Sequence, residues 1–289
     1  MPRISAVMIS RNEGRDLRLT LENLQDTLPA NTEFLVVDDG STDGSAEFLS
    51  RKRSGPRLFR GKNLGVAGAR NLGAAHARGD VILFADAHIR VTGHWWQPMV
   101  AALEQRDAGA VSPAITDMRD AECLGYGLTL PKPDMHAKWL PRRNGKPRVV
   151  PVLPGACMAI RRRVFQISGG YDDALLASGC VDNEFCLRLF RMGYEQWVLP
   201  QIEAAHKFRR RVPYELKWPT VLHNRLRTAM VHFNPVRLSA VTYALSEWKG
   251  FGEALMLVAE SGLAERRRQL EAKRLRPDHL FFERFRIAW

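Results

Sequence analysis

The sequence has few cysteines and no long apolar run. Four cysteines occur among 289 residues, at positions 123, 157, 180 and 186, and no two of them form a C-x-x-C pair. This spacing argues against a zinc site or a redox motif and favours free thiols in a reducing cytoplasm. No stretch reaches about 18 uninterrupted apolar residues, and the apolar run that begins at Ile4 is too short for a secretory signal. We therefore expect a cytoplasmic chain without a signal peptide or a spanning helix.

Two common nucleotide-binding motifs are also missing. The glycines between residues 65 and 73 do not form G-x-G-x-x-G, and no G-x-x-x-x-G-K-[ST] loop occurs. Nicotinamide binding and a P-loop are therefore disfavoured. A nucleotidyltransferase, which shares a similar core, would need a glycine-rich basic loop after the first strand. Arg11-Asn12-Glu13-Gly14 stands there instead.

Acidic residues are outnumbered by basic ones. There are 43 Lys and Arg against 31 Asp and Glu, which gives a formal net charge of +12. Such a surplus favours an anionic partner: nucleotide phosphates, nucleic acid or an acidic membrane face. The surplus is concentrated in residues 261–289 and in a second basic stretch of Arg142, Arg143, Lys146 and Arg148.

Strands alternate with helices over the first half of the chain. Short β-rich runs at 4–9, 34–37, 57–59 and 81–84 are separated by helical patterns at 17–28, 45–49 and 65–77. This alternation predicts an α/β fold with a largely parallel sheet, which binds ligands at the carboxyl ends of its strands. We expect one domain over residues 1–212 with a mobile loop at about 117–150. A helical, basic extension follows at 213–289.

Acidic residues stand where two of these strands end. Asp38 and Asp39 are either a carboxylate pair for a base or ribose, or a turn closed by Asp and Gly. Asp86 and His88 follow another strand, and a carboxylate with an imidazole can hold a divalent ion bound to a diphosphate. Because these acids would repel phosphates of a nucleic acid, nucleic-acid binding is disfavoured.

A third acidic pair, Asp182 and Glu184, opens a predicted helix. Acids at this position suit the helix dipole, and a carboxylate facing a crevice can also act as a general base. The pattern leaves both interpretations open.

Taken together, these segments resemble family 2 glycosyltransferases of the GT-A fold over about residues 3–210. The resemblance rests on the order and spacing of several blocks: Val36-Val37-Asp38-Asp39-Gly40-Ser41, Asn63-Leu64-Gly65, Ala69-Arg70-Asn71, Phe84-Ala85-Asp86-Ala87-His88, Pro154-Gly155-Ala156 and Val181-Asp182-Asn183-Glu184. Asp-x-His, in place of the usual Asp-x-Asp, is typical of the related polypeptide N-acetylgalactosaminyltransferases. His206-Lys207-Phe208-Arg209 is similar to their distal histidine element.

The resemblance implies a site for a UDP-sugar and for Mn²⁺ or Mg²⁺. It implies metal ligands at Asp86, His88 and His206, and base or ribose contacts from Asp38 and Asp39. It further places Ser10, Glu13, Arg70 and Ala87 beside the nucleotide. The imidazole ligands favour Mn²⁺.

The two relatives differ in stereochemistry. Inverting family 2 enzymes carry a catalytic Asp where this chain has Asp182, although Val181 replaces their usual Glu. The N-acetylgalactosaminyl enzymes carry Asn there and retain configuration. We therefore predict inversion with Asp182 as the base and Glu184 orienting the acceptor, with retention as the alternative.

The acceptor and the oligomeric state stay open at this level. The basic tail at 261–289 carries Phe281, Phe282, Phe285, Ile287 and Trp289. Either it docks on an anionic membrane at the inner face, or it packs on its own domain or a dimer partner. We favour the second.

Overall fold

The structure, a computed structural model, describes residues 2–50, 55–104, 108–142, 144–209 and 212–289, without the side chains of residues 121–124. Arg143 of the basic stretch and the side chain of Cys123 lie outside the described part. The strands are β1 (Ile4–Ser10), β2 (Glu33–Asp38), β3 (Arg57–Arg60), β4 (Val81–Asp86), β5 (Ile89–Val91), β6 (Ala108–Asp117), β7 (Asp120–Gly125), β8 (Leu128–Thr129), β9 (Lys138–Trp139), β10 (Arg148–Val149), β11 (Cys157–Arg161) and β12 (Glu195–His206).

The helices are α1 (Asp16–Thr27), α2 (Glu47–Ser50), α3 (Gly65–Ala75), α4 (Trp96–Leu103), α5 (Arg162–Ser168), α6 (Val181–Arg191), α7 (Trp218–His232), α8 (Pro235–Ser246), α9 (Phe251–Ala259), α10 (Leu263–Glu271) and α11 (Asp278–Phe285). Prolines open α7 and α8, where a missing N–H costs nothing because the first turn leaves it unbonded.

The central sheet has the order β10-β12-β6-β11-β4-β1-β2-β3, with β5 on β12 and β7 on β6. The run from β4 to β3 is parallel, and β12 is parallel to β6, while β11 is antiparallel to both its neighbours. In the register, Ser10 lies opposite Asp38 and Ile9 lies opposite Asp86. The last residues of β1, β2 and β4 therefore meet at one edge of the sheet.

Apolar side chains cover both faces of this sheet. On one face α1 and α4 bury Leu17, Leu21 and Met99 against the strands. The other face packs on α3, α5 and α6. Both faces of the parallel strands are buried, which explains why β1, β2 and β4 are continuous apolar runs rather than alternating ones.

Glycine allows one close approach that shapes the site. Gly65 begins α3 at φ +72, and a Cβ there would stand 2.8 Å from the backbone of Ala177. The N–H of Val66 donates to the Ala177 carbonyl at 2.7 Å. This contact joins α3 to the loop that precedes α6.

The described residues of the segment predicted as a mobile loop at 117–150 include four strands, and its mobility stays a prediction. It contains β7, β8, β9 and β10, which pair with β6, with each other and with β12. Most of these strands have only two residues, so they carry no hydrophobic periodicity that sequence reasoning could detect.

The C-terminal helices pack on the core of the sheet. Phe281, Phe282 and Ile287 are buried in the same cluster as sheet residues. The indole N–H of Trp289 donates to the Leu130 carbonyl at 2.6 Å. The tail's apolar side chains therefore face inward, which favours the expected packing on its own domain over the alternative of membrane contact. Whether residues 1–212 form a separate domain stays a prediction.

Among the described residues, none of the helices combines the length and apolar character needed to cross a membrane.

Candidate active site

A crevice opens at the sheet edge where β1, β2 and β4 end. Six of the residues expected near a nucleotide or metal line it: Ser10, Glu13, Asp39, Asp86, Ala87 and His88. Topology explains this, because parallel strands bring their carboxyl ends together. The hydroxyl of Ser10 is buried and has no partner among the described residues, so it is available to a ligand.

Asp86, His88 and His206 form a cluster with metal-binding geometry. One ligand atom from each lies within 4.8 Å of the other two. Asp86 ends β4, while His206 ends β12 and pairs with Ile89 just after His88. His206 Nε2 stands 3.5 Å from Asp86 Oδ2, and its Nδ1 is buried without a partner among the described residues. One carboxylate and two imidazoles suit a divalent transition metal such as Mn²⁺.

A surrounding set of contacts orients His88. Its Nδ1 lies 3.0 Å from Oε2 of Glu13, which leaves Nε2 for the cluster. Arg209 in turn donates to both Glu13 oxygens and to Asp16. A carboxylate that holds the second ring nitrogen is the usual support of a metal-binding histidine. Glu13 thus fixes the ring of His88 and also lines the crevice, so the nucleotide contact expected for it stays a prediction.

The ionisation of Asp86 is set by its neighbours. Burial opposes ionisation, but His206 and the charge of Arg70 outweigh it and hold the pKa of Asp86 at about 2. The carboxylate is therefore charged, as a metal ligand must be.

Arg70 connects Asp86 to Asp182. Its guanidinium donates to Asp182 Oδ1 at 2.7 Å and to the Gly155 carbonyl at 2.8 Å, and lies 3.5 Å from Asp86 Oδ1. Asp182 Oδ2 also accepts the Gly155 N–H at 3.2 Å. A Cβ on Gly155 would stand 2.3 Å from Asp182 Oδ1, so a larger residue here would have to displace the Asp182 carboxylate. Asp182 is therefore linked to Asp86 through Arg70, but neither Asp182 nor Arg70 is part of the crevice lining, and both oxygens of Asp182 are already engaged.

The two aspartates after β2 have different positions. Asp39 lines the crevice and accepts the N–H groups of Leu64 and Gly65 at 2.7 and 2.9 Å, which fixes the start of α3. Asp38 pairs with Arg60 at 2.9 Å and accepts the Ser41 N–H. It is 2% exposed and is not part of the crevice lining. The structure thus places only Asp39 where a base or ribose contact was expected.

Glu184 is not in the site. Its side chain is fully buried and binds Arg188 at 2.9 Å through both oxygens and His232 Nε2 at 2.9 Å. Burial opposes ionisation, but the charge of Arg188 and the His232 hydrogen bond lower the pKa of Glu184. This placement gives no support to the predicted role in orienting an acceptor, because the carboxylate joins α6 to α7 inside the protein.

Three contributors were missed by sequence reasoning. Arg209 fixes Glu13, the Phe208 ring packs on His206 with centroids 4.6 Å apart, and Tyr214 lines the crevice. Phe208 and Arg209 stand two and three residues after His206, so the His-x-Phe-Arg element itself was the available signal. Tyr214 precedes α7 in a segment assigned to the extension, and nothing in its neighbourhood marked it.

Comparison with known proteins agrees with this geometry. Residues 5–167 match the family model described as Glycosyl transferase family 2. The chain belongs to glycosyl transferase family 2. The family match contains β1 to β4 and the Asp86–His88 pair, while His206 lies beyond it.

Curated relatives of this family 2 chain are N-acetylgalactosaminyltransferases. Polypeptide N-acetylgalactosaminyltransferase 11 of Xenopus tropicalis is 30% identical over 260 residues, which cover 80% of this chain and 43% of that protein. Polypeptide N-acetylgalactosaminyltransferase 15 of Homo sapiens is 29% identical over 253 residues, which cover 79% of this chain and 39% of that protein. The chain thus spans about two fifths of the length of these relatives.

Solved structures share the fold of this family 2 chain. A structure of GalNAc-T7 with UDP, GalNAc and Mn²⁺ has a TM-score of 0.78 at 21% identity. The match covers 98% of this chain and 56% of the GalNAc-T7 chain. The mannosyltransferase PcManGT from Pyrobaculum calidifontis with GDP-Man and Mn²⁺ has a TM-score of 0.56 at 18% identity, with coverages of 100% and 76%. The expected α/β GT-A fold is confirmed. The relatives give no support to the predicted inversion.

Proposed function

We propose that this chain transfers a sugar from a UDP-linked donor to an acceptor hydroxyl and uses Mn²⁺ bound by Asp86, His88 and His206. The observation that carries the proposal is the three-ligand cluster at the edge of the crevice. Two of its features suit a metal: the partnerless Nδ1 of His206 and the orientation of His88 by Glu13. When bound, the ion supplies charge stabilisation for the departing diphosphate.

The donor end of the crevice has the groups that a nucleoside needs. The free hydroxyl of Ser10 can bond a base or ribose, and Asp39 retains lone pairs after accepting two backbone N–H groups. The GalNAc-T7 structure contains UDP, whereas the mannosyltransferase structure contains GDP-Man. We favour UDP because this chain is more similar to the first of these two proteins.

For stereochemistry we propose retention in place of the predicted inversion. The named relatives are N-acetylgalactosaminyltransferases. The resemblance of this chain to them implies that the anomeric configuration of the sugar is retained. In addition, the two oxygens of Asp182 are bound by Arg70 and by the Gly155 N–H. A base needs an oxygen within reach of the acceptor proton, and this carboxylate is better suited to position Arg70.

Inversion with Asp182 as base is the second candidate function. The side chain of Asp182 is 30% exposed, and each carboxylate oxygen can accept a second hydrogen bond. The anomer of the product, read by NMR, decides between the two. A product with the donor's configuration supports retention, and the opposite anomer supports inversion.

The test of the proposed function is donor hydrolysis with UDP-, GDP- and dTDP-sugars in the presence and absence of Mn²⁺. We expect Mn²⁺-dependent hydrolysis of a UDP-sugar that is lost in His88→Ala and His206→Ala. His279→Ala, which removes an exposed histidine from α11, is the matched control and should behave like wild type. Hydrolysis that is independent of Mn²⁺, or equal in all variants, would contradict the metal site.

A further inference from the structure

A basic arm lies beside the Asp86, His88 and His206 cluster and the start of α6. We define it as residues 126–149, which include β8, β9 and β10, with residue 143 undescribed. The arm is held in place by its own backbone and by the core. Arg148 donates to the carbonyls of Tyr126 and Pro141 at 2.8 Å, and the Val150 N–H just beyond the arm donates to the Gln196 carbonyl at 2.9 Å.

The first contact with the site is made by Trp139. Its ring packs edge-on against Phe208 with centroids 6.0 Å apart, and Phe208 packs against the metal-cluster residue His206. A Cβ on Gly125 would stand 2.1 Å from the Trp139 ring, so this indole rests directly on the β7 backbone. The other side of Trp139 remains open, since the residue is 41% exposed.

The second contact is made four residues earlier. The side-chain amide of Asn183 donates to the Met135 carbonyl at 3.0 Å, and Asn183 directly follows Asp182 in α6. Residues 135–139 therefore reach from the Asp182 side of the site to its His206 side. In the proposed function the diphosphate end of the donor lies at the metal cluster, so an acceptor that enters beside the arm would meet the donor there.

The arm carries several exposed cations. Lys132, Lys138, Arg142 and Lys146 are exposed, and among the described residues none of them forms an ion pair. The arm's single acidic residue, Asp134, is engaged by the backbone N–H of His136. The cations are spread along the arm, so several separate negative charges on an extended chain would match them.

We propose that the acceptor is a peptide whose hydroxyl residue is flanked by acidic residues, which bind the basic arm while Trp139 packs on the peptide. This proposal rests on the proposed glycosyltransferase function and names its acceptor. Charge complementarity selects an anionic acceptor, and the similarity to polypeptide N-acetylgalactosaminyltransferases favours a peptide over a saccharide.

The experiment compares three peptides of equal length around one Thr, with flanking Glu, Gln or Lys, in transfer from the UDP-sugar. Several exposed charge pairs together predict a KM roughly tenfold lower for the Glu peptide than for the Gln peptide, and the difference should shrink at high salt. The variant Lys138→Glu/Lys146→Glu should lose this preference and use the Lys peptide better than the Glu peptide.

Lys273→Glu is the control for the charge change. Lys273 is exposed, and its ammonium contacts the carbonyl of Ile167 in α5, which follows β11 at the sheet edge opposite the crevice. This variant should keep the preference for the Glu peptide.

Donor hydrolysis without acceptor, measured in the same preparations, separates the two proposals. Absence of hydrolysis in wild type would count against the glycosyltransferase function itself. With hydrolysis present, equal use of the three peptides would overturn the acidic acceptor alone. Transfer to a uronic-acid oligosaccharide but to none of the peptides would overturn it as well.

Discussion

Replacing Arg70 by methionine should destabilise the protein through the carboxylates that it leaves behind. The guanidinium is 4% exposed at the side chain and contacts Asp182 and Asp86, which are 30% and 23% exposed. Removing one partner of a buried ion pair typically costs about 3–5 kcal/mol, because the other charge stays buried without compensation. Since both carboxylates keep some contact with water, we expect the lower part of this range for Arg70→Met.

A double-mutant cycle tests this reasoning. In Arg70→Met/Asp182→Asn one of the two stranded charges is gone, so the double variant should be more stable than the sum of the two single losses predicts. We expect a coupling of about 1–3 kcal/mol in the free energy of unfolding, measured by urea denaturation of the four proteins.

The distances provide an internal comparison. Arg70 lies 2.7 Å from Asp182 but 3.5 Å from Asp86, so the cycle with Asp86→Asn should give the smaller coupling. If the Arg70 and Asp182 effects add within about 0.5 kcal/mol, the two side chains are not coupled and the reasoning is refuted.

Three further predictions concern the cluster and its surroundings. His88→Ala should weaken Mn²⁺ binding by more than roughly tenfold, because a direct ligand should matter at least as much as the residues that support it. The affinity is measured by calorimetry without donor, and an unchanged affinity would show that His88 is not a metal ligand. The folded-state pKa of Asp86 is lowered to about 2, below the value expected in the unfolded chain. The ionised carboxylate therefore stabilises the protein by about 2 kcal/mol above about pH 4, and this stabilisation is lost as pH falls toward 2. The stability difference between wild type and Asp86→Asn should therefore change only in that acid range, and a change confined to pH 6–8 would contradict the assignment. Glu184→Gln should lower the free energy of unfolding by about 3 kcal/mol, because Glu184 is paired with Arg188 and His232 inside the protein. The KM for the donor should stay within about twofold of wild type, because this pair lies away from the crevice. A selective rise in this KM would argue against that placement.

The acidic strand ends could be predicted because the underlying physics is local and repetitive. Apolar runs of four to six residues followed by Asp39 or Asp86 identify parallel strands and the edge at which they end. No further information is needed to bring these residues to one crevice. The distal ligand His206 could not be placed in this way, because it ends a strand that joins the sheet far later in the chain and only the resemblance pointed to it.

Roles that depend on the direction of a side chain were harder to predict. Asp38 and Asp39 are adjacent, so in extended backbone they point to opposite faces, and one of them had to leave the crevice for Arg60. Asp182 and Glu184 likewise stand on different sides of α6. A signal for Glu184 was present, since Arg188 follows it at the i,i+4 spacing of a helical ion pair.

The charges around the metal cluster bear on how a donor would bind. Asp86, Asp182, Glu13 and Asp16 carry four negative charges, and Arg70, Arg209 and Lys207 carry three positive ones within direct contact of them. Without the two imidazoles this group has one net negative charge, which opposes a diphosphate. A divalent ion reverses the sign, so the same side chains then attract the diphosphate at short range. Donor affinity should therefore depend on the metal, whereas metal affinity should exist without donor. This order of dependence follows from the placement of Arg70 and Arg209, because each neutralises a carboxylate beside the cluster while leaving the two histidines free to bind the ion.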